Sequence, residues 1–157
     1  MELLAVSLRQ PVADLLVTGQ MDAFQCRGAT KLSGRVGVHA SRGTDETGWL
    51  TDLWMRAPEQ GALDADVATR LASCGHPSGT RKEGCELCAR FGALLGAVEV
   101  SEIHRARTCG GCSPWIDPGK THLVVGQVVQ WLPQQAQGEP EPFPIEPPAG
   151  WEPDVTG

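Results

Sequence analysis

The sequence predicts an α+β fold dominated by strands, and three observations carry that reading. A short apolar run feeds directly into a helix at the N-terminus, a second run alternates at period two, and two long apolar runs follow in the second half. The first is "LLAVSL" (3–8), which suits a buried strand. Pro11 then opens "VADLLVTG", placing proline in the first turn of a helix and Gly19 at its stop. In "GRVGVHA" (34–40), Val36, Val38 and Ala40 recur at every second position, as on a half-buried strand. "ALLGAVEVSEI" (93–103) and "THLVVGQVVQWL" (121–132) give two longer strands.

Between these strands the periodicity becomes helical. Thr44 or Asp45 can cap a helix carrying Trp49, Leu50, Leu53 and Trp54, and Leu63, Val67 and Leu71 form a second stripe at i, i+4, i+8. From Pro133 onward proline, glutamate and glycine prevail, which favours extended backbone with Phe143, Ile145 and Trp151 available to pin it to the core. The expected organisation is one domain over 1–132, with an insertion at about 43–90, followed by a proline-rich segment over 133–157 packed in part on that domain.

The formal charge of −6 leaves no overall positive field to attract phosphate backbones, so any nucleic-acid contact must be local. The opening residues lack a basic leader, and Arg9, Gln10 and Asp14 interrupt their apolar run, so no secretory signal is expected. No stretch reaches the roughly 18 apolar residues of a membrane span. A cytoplasmic location without a membrane partner is the expectation, and in that reducing compartment six cysteines read as metal ligands or free thiols before disulfides.

Two Cys-x-x-Cys pairs are present, Cys85/Cys88 and Cys109/Cys112, and each can set two thiolates on one tetrahedral zinc. A strand over 93–104, rising about 3.3 Å per residue, would hold the pairs roughly 35 to 40 Å apart. The favoured ligand set is therefore local: Cys74, His76, Cys85 and Cys88, around the stretch "CGHPSGTRKEGCELC". With little there to pack, metal binding would supply the folding free energy of the loop, and four protein ligands make such a zinc structural. The alternative set is Cys85, Cys88, Cys109 and Cys112; a loop without metal is the third reading.

"SLRQPVADLLVTG" (7–19), "GRVGVHAS" (34–41), "GALLGAVEVSEIHRA" (92–106), "CSPWIDPGKTHLVV" (112–125) and a late "GW", in that order, resemble the ASCH domain family, relatives of the PUA fold. The resemblance implies a small, partly open β-barrel flanked by helices, here with the zinc-knuckle insertion. It also implies a cleft between barrel and first helix that takes RNA, single-stranded DNA or a nucleotide. Carried over to this chain, it points to Arg9, Gln10, His39, Ser41, Trp115 and His122 as nucleotide-binding residues, with Arg27 standing in for a family arginine.

Some members of that family hydrolyse acyl groups from modified cytidine. In the positions of the lysine, the glutamate or threonine, and the arginine that follow the first helix in the family, this chain has Met21, Phe24 and Cys26. The expected function is thus a nucleic-acid or modified-nucleotide binding module, with no catalytic residue assigned. A protein-interaction adaptor, using the clamped insertion or the acidic tail, is one alternative. A hydrolase of a modified nucleoside, built on Cys26 or Cys112 beside His39 or His122, is the other.

Overall fold

The computed structural model describes residues 3–10, 12–19, 21–44, 90–105 and 120–149. The helices expected beyond Asp45, the stretch from Cys74 to Cys88, and Cys109, Cys112, Trp115 and Trp151 lie outside them.

The expected strands appear as β1 (Leu3–Gln10), β3 (Gly34–Thr44), β4 (Ala93–His104) and β5 (His122–Gln135). Two short strands join them, β2 (Ala23–Phe24) and β6 (Phe143–Ile145), and the described residues hold one α-helix, α1 (Val12–Val17). All six strands form one curled, half-barrel sheet in the order β2-β5-β4-β3-β1-β6. β1 runs parallel to β3, with Ala5 opposite Gly37 and Leu8 opposite Ala40; every other pairing is antiparallel.

Register shifts explain the curl. The ladder slips at Val38/His39 on β3 and at three places along β4, between Leu94 and Gly96, Val98 and Val100, and Val100 and Glu102. Each bulge adds local twist and bends its strand. The first of these leaves residues 131–133 of β5 between the pairings of Gln130 and Gln134. Pro133, which has no N–H to give a ladder, is accommodated there.

A six-residue helix has little stability of its own, so α1 is held by what it buries. Leu15, Leu16 and Val17 are wholly buried under the sheet, each contributing about 1.5 to 3 kcal/mol. Gly19 takes φ 79° and donates its N–H to the Leu16 carbonyl, which ends the helix as its sequence predicts. Asp14 is also buried, and its carboxylate accepts from Arg90 Nε at 2.6 Å and from Arg90 Nη2, tying the helix to the entry of β4.

The alternation of β3 predicts a half-buried strand, whereas Val36 through Ala40 are all buried. The second face is covered by chain that follows β5: Ile145 of β6 lies over Gly37, and residues 136–138 lie over His39. The proline-rich segment therefore contributes a strand and a small second core, where Phe143 packs with Ala5 and Leu94 beside Trp131 and Ala136. No helix among the described residues is long and apolar enough to cross a membrane.

Candidate functional site

A cleft of about 1470 Å³ opens where the C-terminal half of β1, the end of β3, the segment from Met21 to Arg27 and the strap from Gln135 to Pro142 meet. Its floor is apolar, from Val6, Leu8, Met21 and Phe24. Arg9, Arg27 and Lys120 are exposed and line it, opposed by exposed Glu139 and Glu141 on the strap. Lys31 reaches Glu141 at 3.9 Å, but both side chains are about two-thirds exposed and such a pair fixes little.

Four of the residues picked out from sequence converge here: Arg9, Arg27, His39 and Ser41 all line the cleft. The backbone of Gln10 ends β1, opposite Thr44. His122 is not a lining residue; Lys120, two positions earlier, is. Ser41 Oγ is buried and meets no hydrogen-bond partner among the described residues, which leaves a polar group for a ligand or water to satisfy.

His39 is only 3% exposed and both its ring nitrogens are engaged. Nε2 donates to the Ala136 carbonyl at 2.7 Å, so in the neutral ring Nδ1 accepts from Ser7 Oγ at 3.0 Å. Phe143 packs against the ring edge to face, with centroids 5.8 Å apart. His39 thereby fixes the strap that forms one wall of the cleft. The other lining ring among the described residues, Phe24, is buried in the core, so neither offers an open face for stacking.

Cys26 lines the same cleft with its thiol free, and burial pushes its pKa up from 9.0 to about 11. A thiol held neutral is a poor nucleophile, and the one histidine among the described residues that lines the cleft, His39, spends its nitrogens on Ser7 and Ala136.

The second histidine cluster sits at the far end of the β4/β5 ladder, where His104 pairs with His122. His122 is wholly buried; its Nδ1 donates to the Lys120 carbonyl at 3.0 Å, and its Nε2 faces His104 Nδ1 at 3.2 Å. His104 Nε2 donates to Glu102 Oε2 at 2.8 Å. Sequence reading singled out His122 and passed over His104. The signal that could have found it is the spacing His104-x4-Cys109-x2-Cys112-x9-His122. Among the described residues no group of three or more histidine, cysteine, aspartate or glutamate side chains converges as a metal site.

No protein family model matches the chain, and no curated protein matches it.

Proposed function

We propose that the chain is a nucleic-acid or modified-nucleotide binding module of the ASCH, PUA-like kind, and that it binds in the cleft between β1, the Met21–Arg27 segment and the strap. One observation carries the reading: Arg9, Arg27 and Lys120 stand exposed around a cleft with an apolar floor, inside a chain of net charge −6. Local cationic groups over an apolar floor suit a phosphate with its base or sugar beneath. The volume exceeds the 300 to 1,000 Å³ typical of small-ligand pockets, which favours a strand segment over a single nucleotide.

Within this reading Arg9 and Arg27 take phosphate, and Ser41 offers a hydroxyl to the ligand. His39 holds the wall in place, and Trp115 and Gln10 are further contacts. A base-stacking surface would be supplied by Trp115. Structural zinc on Cys74, His76, Cys85 and Cys88 belongs to the same proposal and would order the insertion. Hydrolysis is disfavoured, since Met21 and Phe24 stand in place of the family's lysine and glutamate or threonine and the Cys26 thiol is held neutral.

The test is a titration of the full chain with labelled single-stranded RNA and DNA across a salt series. Binding that weakens steeply as salt rises, and that Arg9→Ala reduces, is expected. No binding at low salt, or binding that Arg9→Ala and Arg27→Ala leave unchanged, overturns the reading.

A further inference from the structure

We infer that the nucleotide bound in the cleft carries a positively charged group, an alkylammonium on its base, which Glu139 and Glu141 recognise while Arg9 and Arg27 hold its phosphate. This rests on the binding function proposed above and names the ligand class of that same cleft.

Two sets of opposite charge meet at one opening. Arg9, Arg27 and Lys120 come from the sheet and the loops beside it, Glu139 and Glu141 come from the strap, and all five are exposed. Among the described residues no ion pair joins the two sets. Glu141 has only the loose contact with Lys31, which does not line the cleft. A site for phosphodiester alone gains nothing from carboxylates at its mouth, because each repels the strand. The same carboxylates attract a ligand that bears a cation as well as a phosphate. Discrimination comes from repelling the competitor as much as from attracting the right ligand.

The strap holds these carboxylates where they are. The Ala136 N–H donates to the Gly92 carbonyl at 3.0 Å, and the Ala136 carbonyl accepts from His39 Nε2 at 2.7 Å. Gly138 lies against Ser7 and His39, Pro142 lies against Gly28, and Phe143 begins the pairing of β6 with β1. Between these anchors Pro140 locks one φ, with Glu139 and Glu141 on either side of it. Both carboxylates are thus part of a fixed wall.

Two further observations define the ligand. Ser41 Oγ, buried and without a hydrogen-bond partner among the described residues, lines the same cleft and is a polar group for a ligand to satisfy. Phe24 and His39, the lining rings among the described residues, are both buried, so they form no aromatic cage for a quaternary ammonium. An ammonium suits two exposed carboxylates better, since its three N–H donors bond to their oxygens directly.

Three single-stranded RNA oligonucleotides of one sequence test this against the full chain at low salt. One is unmodified, one has a uridine with a 5-aminoalkyl arm, and one has the same arm acetylated, which removes its charge. Wild type is expected to bind the amine strand about 3- to 10-fold more tightly than the acetylated strand. In the Glu139→Gln/Glu141→Gln double variant that preference should disappear, while the unmodified strand binds more tightly. In Arg9→Ala all three strands should weaken and the amine preference should remain. Equal affinity of wild type for the amine and acetylated strands, or a preference that survives in the double variant, overturns the inference and leaves the proposed function standing. Failure of all three strands to bind wild type overturns both.

Discussion

His39 Nε2 donates to the Ala136 carbonyl at 2.7 Å, across 97 residues of sequence, and this bond seats the strap on the sheet. The strap passes so close that a Cβ at Gly138 would lie 2.5 Å from His39 Nδ1 and closer still to Ser7 Oγ. Gly138→Ala must therefore push the strap off or break the Ser7 contact, an overpacking cost of about 1 to 3 kcal/mol. At about 2 to 4 °C per kcal/mol for a chain of this size, Tm should fall by several degrees. His39→Ala should lower it by at least as much, because it removes the hydrogen bond to the part-buried Ala136 carbonyl and the Phe143 contact. Thermal unfolding of the two variants checks this; an unchanged Tm in both would show that the strap is not seated on His39.

The Asp14–Arg90 pair is a second long-range tie, with the carboxylate buried and the guanidinium one-fifth exposed. Removing one partner breaks a largely desolvated ion pair, at a cost of about 3 to 5 kcal/mol. Asp14→Ala should lower the denaturant midpoint sharply, whereas Asp14→Leu combined with Arg90→Met should recover much of the loss. Equal destabilisation by the single and the double variant would mean that the pair is not what holds α1 to β4.

The longer elements were legible because each has a local cause. Apolar runs gave β1, β4 and β5, alternation gave β3, and Pro11 and Gly19 bracketed α1. β2 and β6 were not legible as strands, since Ala23–Phe24 and Phe143–Ile145 are too short for a period and the latter is broken by Pro144. Strand order was equally hidden: the parallel β1/β3 pairing and the return of β6 onto β1 are long-range choices that no window of sequence contains. Of the residues picked for the cleft, Arg9, Arg27, His39 and Ser41 do line it, and Trp115 lies outside the described residues. Lys120, Glu139 and Glu141 were missed because a lone charged residue in a loop carries no pattern. His104 was missed because its pairing with His122 across the ladder is a long-range contact, although the Cys/His spacing around it was there to be read.

Cys26 offers a test by chemistry. With its pKa at about 11, only on the order of one thiol in a thousand is thiolate at pH 8. Alkylation by iodoacetamide, followed on the Cys26 peptide by mass spectrometry, should run on the order of 100-fold slower in the folded chain than in urea. The folded pKa is raised, so the neutral thiol is the form folding favours. Its contribution to stability is present below pH 9.0 and is lost as pH rises towards 11. Equal labelling rates in folded and unfolded chain at pH 8 would contradict the burial.

Charge around the cleft gives the most specific prediction for binding. Arg9, Arg27 and Lys120 face Glu139 and Glu141 across the opening, so the two signs should act oppositely on a polyanion. Each phosphate contact removed from a single strand lowers the slope of log affinity against log salt by about 0.7. Arg9→Ala and Arg27→Ala should therefore each weaken binding at low salt and flatten that slope by about that amount, while the double variant flattens it by about twice as much. Glu139→Gln with Glu141→Gln should do the reverse and tighten binding, since two carboxylates beside the phosphate path are neutralised without changing shape. These four exposed side chains contribute little to the core, so Tm should hold in all of the variants and the comparison reads binding alone. Arginine variants that keep the wild-type slope, with carboxylate variants that bind no tighter, would place any nucleic-acid contact on another face of the sheet.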